Sequence, residues 1–282
     1  PIIDDRLALR ASVSDAEYDV FIFNTFLGQE ADETEQTTGR FKLLFEPTEN
    51  ISIISTTSYT EHSAGEDVVL PNNGNPALFL EARDVNRTVA YNVPGSEGTE
   101  PFIQSINAAW DISEAWNLTS ITTYQESDYF RLEDFATDPA NPDDNPDVAL
   151  DRTGTDEVFT QELRLAYQGE KLSGVLGAYY LDSESGFDDS FTLTGAILDP
   201  FFDFVLLTRE GRSRDTVKNT AVFFDGEYEI TDQIDLLFGA RYDKEDQDDN
   251  VVGDTFIANP DDVPAMFQAG FAPFLGVVNP IT

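Results

Sequence analysis

Residues 234–243 read IDLLFGARYD. Ile234, Leu236, Phe238, Ala240 and Tyr242 take every second position, and Asp235, Arg241 and Asp243 stand among the residues between them. An extended chain turns successive side chains to opposite faces, so this pattern makes a strand with one apolar side and one polar side. A helix would scatter the same residues around its circumference. Upstream, across the short break at Thr231 and Asp232, AVFFDGEYEI (221–230) supplies the other arm of a hairpin.

The same period recurs along the chain. Phe41, Leu43 and Phe45 alternate with Arg40, Lys42 and Glu46; Ile106, Ala108, Trp110 and Ile112 alternate with Ser105, Asn107 and Asp111. Ile51, Ile53 and Tyr59 share one parity. Phe159, Leu163, Leu165 and Tyr167 alternate with Thr160, Glu162 and Arg164. The pattern predicts nine strands, over about 6–24, 36–46, 51–62, 101–112, 116–132, 155–168, 172–186, 215–229 and 233–248. Several reach the ~9–11 residues that cross a bilayer at a tilt.

The connections alternate in length. Tight turns are expected at 47–50, 113–115, 169–171 and 231–232, and long loops at about 63–100, 133–154, 187–214 and 249–282. In an antiparallel meander, every second connection lies on the same rim. One rim then carries turns and the other carries large loops, the asymmetry of outer-membrane barrels. Aromatics agree with it. Phe45, Trp110, Trp116, Tyr167 and Tyr228 flank the tight turns, while Tyr59, Tyr124, Phe159 and Tyr242 lie near the long-loop ends. Two such rows bracketing an apolar band suit a lipid-facing surface. The competing reading makes them sandwich core or strand-end plugs. The polar parity would face a wet lumen, because a small self-filled barrel would not bury so many charges.

Composition narrows the function. The 282 residues carry 54 Asp and Glu against 16 Lys and Arg, a net charge of −38. This opposes nucleic-acid binding, which needs Lys and Arg clusters. With no Cys and a single His, His62, thiolate and multi-histidine metal sites are excluded. No apolar run approaches the ~18 residues of a membrane-spanning helix.

The segments TTGRFKLLFEPTENISI, WNLTSITTYQESDY, FTQELRLAYQGEKLSGVLGAYYLDSES and NTAVFFDGEYEITDQIDLLFGARYDKEDQD resemble the barrel strands of TonB-dependent outer-membrane receptors. The resemblance covers most of the chain outside the long loops. It implies an all-β, antiparallel up-and-down transmembrane β-barrel, of which 1–282 is a partial domain, an internal piece of a longer protein. It also implies a plug within the complete barrel, a partnership with the TonB complex through that plug, contact with outer-membrane lipid, and location in the outer membrane of a Gram-negative bacterium. The function expected is active uptake of a scarce small-molecule nutrient such as a ferric chelate, with a ferric siderophore as the default substrate. The alternatives are a passive porin-like channel and a secreted acidic all-β binding domain.

No catalytic arrangement, cofactor motif or metal site stands out. Two acidic runs, 138–151 and 243–254, invite a calcium reading but lack regular calcium-loop spacing, and a solvated acidic loop is the favoured reading. The candidate substrate contacts are the loop aromatics Tyr91, Phe130, Phe201 and Phe202. Arg10, Arg40, Arg164 and Arg241 are expected on the lumen face, toward a plug or an anionic chelate. Their competing role is pairing within the wall, with Glu162 or Asp243 for example.

Overall fold

Long strands succeed one another in the order of the chain, each antiparallel to its neighbour. The computed structural model describes residues 2–3, 6–18, 21–65, 88–91, 93–134, 148–194, 205–256 and 277–278. Its strands are β1 (Leu7–Tyr18), β2 (Phe23–Asn24), β3 (Gln29–Glu30), β4 (Thr34–Thr48), β5 (Ile51–Gly65), β6 (Thr88–Val89), β7 (Ser96–Ser113), β8 (Trp116–Asp134), β9 (Val148–Gln168), β10 (Leu172–Thr194), β11 (Val205–Thr231), β12 (Ile234–Phe256) and β13 (Val277–Val278). Ten of them form one open sheet in the order β1-β4-β5-β7-β8-β9-β10-β11-β12-β13. The nine long members match the nine expected strands one for one.

Pairing carries the apolar parity unbroken across the sheet. Leu165 lies opposite Leu118 and Leu176, and Leu176 lies opposite Phe224. This face has little cover among the described residues: Leu163 is 45% exposed, Leu176 58% and Leu236 50%. A sandwich would bury such a face against a second sheet. A membrane wall turns it to lipid.

The aromatic rows show how the strands lean. Tyr59 on β5 is level across the ladder with Phe102 and Glu126, and the tyrosine of β8, Tyr124, sits two residues nearer the turn. Tyr124 is level with Phe159 and Asp182, and Tyr180 again sits two residues lower. Tyr180 is level with Thr220 and Lys244, and Tyr242 repeats the step. The row therefore falls one residue per strand. With ~3.4 Å along a strand and ~4.8 Å between strands, that slope is about 35°. Membrane barrels tilt their strands by ~35–45°. The row is level with the bilayer when the strands lean by this amount. Phe45, Trp110, Trp116, Tyr167 and Tyr228 form the second row, beside the tight turns.

A local repeat accompanies the slope. STTSYTE (55–61) on β5 matches SITTYQE (120–126) on β8, and FIQSINAAW (102–110) on β7 matches FTQELRLAY (159–167) on β9. Gln104 faces Thr57 and bonds to Ser55 through Nε2 at 3.0 Å, while the Thr57 hydroxyl donates to its Oε1. Gln161 repeats this with Ser120 at 3.1 Å and Thr122 at 2.6 Å. Polar groups on the lipid-facing parity are thus turned onto one another, as a hydrocarbon environment demands.

The structure corrects several boundaries. β1 stops at Tyr18, and residues 21–33 hold a small hairpin, β2 and β3, around a turn in which Gly28 has φ of 70°. The left-handed conformation there favours glycine. The expected long loops are shorter, because β7 starts at Ser96, β9 at Val148 and β11 at Val205, while β10 and β12 run on to Thr194 and Phe256. Beyond the outer aromatic row both faces meet water, so these extensions lack the apolar–polar alternation that marks a strand.

Candidate functional site

The outer halves of β7 to β11 carry the polar parity above the upper aromatic row. One ladder row there runs Glu97, Arg131, Arg152, Asp189. The row below it contains Tyr129, Gly154 and Phe187, and the row above contains Glu133, Phe191 and Arg209. Cations and aromatic rings are therefore concentrated on one face, at the loop end.

Packing fixes this group. The Tyr129 ring lies over Gly154, where a Cβ would collide with it. Burial pushes the Tyr129 hydroxyl pKa up, and the negative charge of Asp156 adds to the shift against the opposing charges of Arg152 and Arg214. The Arg152 guanidinium sits 4.3 Å above the Phe187 ring and reaches Asp189 at 3.3 Å. Arg131 reaches Glu133 at 3.0 Å. The Arg152 Nε is buried without a hydrogen-bond partner. A guanidinium held between a ring and a carboxylate, its side chain 35% exposed, suits an anionic, partly aromatic solute. A hollow of 630 Å³ nearby is lined chiefly by Glu100, Asp128, Thr155, Glu157, Glu184 and Thr216, on the opposite parity. Tyr129 and Gly154 of this group also line it.

The residues expected from the sequence fall in different places. Tyr91 is 2% exposed, in a small cap where β2 pairs with β3 and β6. Asn24 donates to the Tyr91 carbonyl at 3.0 Å, and the Val93 amide donates to Asp134 at 3.2 Å, tying the cap to the end of β8. Phe130 is beside Tyr129 but on the outward parity, 44% exposed, with its ring across Gly98. Phe201 and Phe202 lie outside the described residues.

All four arginines take the polar parity. Arg164 pairs with Glu162 at 2.6 Å, and Arg241 pairs with Asp243 at 2.8 Å, each two residues along its own strand. Arg241 also lies 5.6 Å from the Phe223 ring centroid and 5.8 Å from that of Tyr179. Among the described residues Arg10 and Arg40 have no carboxylate partner.

Sequence reasoning missed Arg131, Arg152, Tyr129 and Phe187. Continuing the parity of Glu162 and Thr160 outward to 152 would have found Arg152. The acidic run 243–254 proves to lie within β12, where successive carboxylates point to opposite faces and do not converge. The run 138–147 lies outside the described residues. Among the described residues no three His, Cys, Asp or Glu side chains gather to hold a metal ion.

Comparison with solved structures places this architecture. The ferric yersiniabactin uptake receptor FyuA from Yersinia pestis aligns over 92% of the chain and 41% of its own, at 15% identity and a TM-score of 0.63. The siderophore receptor PiuA from Acinetobacter baumannii aligns over 90% and 43%, at 10% identity and a TM-score of 0.53. The ferric-catecholate import receptor Fiu from E. coli K12, in its open form, aligns over 92% and 49%, at 10% identity and a TM-score of 0.51. The chain thus spans less than half of each of these proteins. Residues 47–281 match the family described as TonB dependent receptor-like, beta-barrel. The alternation, the sloping aromatic rows and this match agree, and the chain belongs to the TonB-dependent receptor β-barrel family.

Proposed function

We propose that this chain is part of the wall of an outer-membrane receptor for a ferric siderophore, and that the Arg131–Arg152–Phe187 group belongs to its capture mouth. The family and fold are those of transport receptors and not of enzymes. The observation that carries the reading is Arg152, stacked on Phe187 and paired with Asp189, with its side chain partly exposed on the polar face at the loop end. FyuA is a ferric yersiniabactin uptake receptor, PiuA a siderophore receptor and Fiu a ferric-catecholate import receptor. In this reading the receptor resides in the outer membrane of a Gram-negative bacterium. The barrel presents the loops and gives lipid compatibility. TonB engages the plug and supplies the work, and the wall performs no covalent chemistry.

The test is chelate binding by the complete receptor in detergent. Ferric catecholate and ferric hydroxamate probes should separate in affinity, and Arg152→Ala should weaken the tighter one about tenfold, the equivalent of ~1.4 kcal/mol. Arg164→Ala, deeper in the wall, should change it little. Equal binding by wild type and Arg152→Ala would remove the mouth assignment. A wild-type protein that conducts ions freely in planar bilayers would favour a passive channel.

A further inference from the structure

The connection between β1 and β4 is folded onto the outer side of the wall. Gly65, at the end of β5, shares the lipid-facing parity of Tyr59. A Cβ there would strike the Ala31 carbonyl oxygen and approach the Asp32 Cα at 3.1 Å. The chain leaving β3 therefore crosses the outward side of β5. A hollow of 380 Å³ lies beneath the small cap of β2, β3 and β6. From the wall it is lined by Glu35, Ser63, Gly65 and Ser96, all of the outward parity, and by Ala64 of the other. From the cap, Asn24 lines it.

The cap turns aromatic rings away from the wall. Asn24 is buried against the hollow. Alternation along β2 then points Phe23 the opposite way, and Phe21 shares the parity of Phe23. Phe21 is 68% exposed and Phe23 44%, with Phe26 also exposed in the turn that follows. Asp32 fixes this arm by accepting the Phe21 amide at 3.2 Å and the Ile22 amide at 2.9 Å. Large apolar side chains gathered at a polar rim mark a contact surface.

The upper aromatic row has a gap beneath these rings. Carried back from Tyr59, the row passes Gly39 and Thr37 on β4 and Val13 and Asp15 on β1. None of these is aromatic, and the nearest outward ring, Phe41, is one pair nearer the turns. β1 ends at Tyr18, beyond Asp15, about 8 Å higher at ~3.4 Å per residue and a ~35° lean. The polar layer of one leaflet is ~5–7 Å deep. The cap thus leaves the wall at the outer edge of that layer, above the two strands that lack a ring.

We propose that Phe21 and Phe23, with Phe26, dip into the outer leaflet and complete the upper aromatic row from outside the ladder, making the cap a membrane-surface anchor. This rests on the outer-membrane receptor reading and adds a lipid contact made by a loop. Lipid is the occupant because the patch continues the face that meets lipid and points away from the lumen, where a solute passes. Rings at the boundary of hydrocarbon and headgroups bury apolar area without needing a charged partner.

Nitroxide labels read this contact directly. The complete receptor, with no other cysteine, is reconstituted in phosphatidylcholine vesicles. Labels at Phe21→Cys and Phe23→Cys should collide more with dissolved oxygen, which concentrates in lipid, than with a water-soluble nickel chelate. Leu163→Cys on the lipid face is the lipid standard, and Glu170→Cys in an exposed tight turn is the water standard. Nickel collisions prevailing at 21 and 23, while Leu163 reads lipid, would overturn the anchor and leave the receptor reading intact. Nickel prevailing at Leu163 as well would overturn both. Spin–spin broadening between Phe23 labels on separate copies would assign the patch to a second copy. Broadening by an added ferric chelate would assign it to the solute mouth, and either result would overturn the anchor. Because the label is itself apolar, a further variant carries it at Phe26→Cys with Phe21→Ser and Phe23→Ser. Its oxygen preference should fall below that of Phe26→Cys alone, and an unchanged preference would overturn the role of the two rings.

Discussion

Thr122 and Gln161 face each other across the β8–β9 pair, with the threonine hydroxyl donating to the glutamine Oε1 at 2.6 Å. Both lie on the lipid-facing parity, just below Tyr124 and Phe159. Thr57 and Gln104 have the same relation across β5 and β7. These two strand pairs are joined through the long stretches 66–95 and 135–147, and not by tight turns. A two-residue turn sets register by its own geometry, and a long connection does not. The glutamine clamp supplies that information from within the ladder.

Replacing Gln161 by Leu should therefore cost about 1 kcal/mol, because two hydroxyls lose their partner in hydrocarbon. Adding Ser120→Ala and Thr122→Val should recover most of it, since removing all partners leaves nothing unsatisfied. Urea titration of the receptor folded into lipid vesicles measures both. A triple variant no more stable than the single one would refute the clamp.

Arginine at Leu163 should cost ~2–4 kcal/mol, the value for a lipid-facing site at mid-bilayer. Leu163 is four residues from Tyr167 and four from Phe159, midway between the rows. Leu165 is one pair nearer the turn, so Leu165→Arg should cost less. Thr160→Arg, on the other face, should cost little. Equal losses at 160 and 163 in the same titration would contradict the assigned faces.

Gly177→Ala should destabilise by about 1–3 kcal/mol, the usual penalty for overpacking. A Cβ there would run into the Phe223 ring, on which Arg241 rests at 5.6 Å. Phe223→Leu in the same chain should relieve part of the loss. Additive effects in that double-mutant cycle would show that the ring and the glycine are not coupled.

Two aspartates on the outer ribbon should respond oppositely to pH. Arg212 first, and Arg214 with it, hold the Asp188 carboxyl below its ordinary value of 3.8. Hydrogen bonding with Asp249, directly across the ladder, pushes Asp215 above it. Asp188 favours the folded ribbon above its unfolded pKa, and that support is lost as pH falls through its folded pKa. Asp215 favours folding while protonated, and that support is lost as pH rises through its raised folded pKa. Amide protection factors over 208–218, that is, exchange corrected for its intrinsic pH dependence, should rise as pH falls from neutral toward the ordinary aspartate value and drop again below it. Asp249→Asn should flatten the first limb and leave the second, and an unchanged first limb in that variant would refute the assignment.

Much of the wall was readable from residues 234–243 and their counterparts, because lipid on one side and water on the other impose strict alternation. The aromatic rows were readable too, since Trp110 and Tyr167 lie beside turns and Tyr59 and Tyr124 lie eight residues or so along their strands. Their slope was not, because it depends on which residues face each other across the ladder. Arg152 and Tyr129 escaped for a different reason: at their height both faces of the ribbon are wet, so TGTDE and RLED give no periodic signal. Tyr91 was read as a loop aromatic and candidate substrate contact. Its burial depends on β6 pairing in parallel with β2, a contact between segments more than sixty residues apart that no local pattern announces.

The descending tyrosine row has a consequence for how such a wall changes size. A shift of two strands sideways and two residues down carries Ser55, Thr57, Tyr59 and Glu61 onto Ser120, Thr122, Tyr124 and Glu126, and Phe102 and Gln104 onto Phe159 and Gln161. From β5 to β9 the wall repeats with a strand pair as its unit. A duplicated hairpin dropped into the series would inherit the offset of its neighbours and come to rest at the right depth. Circumference and thickness are then separate variables: genetic copying can enlarge the ring while its fit to the bilayer stays fixed.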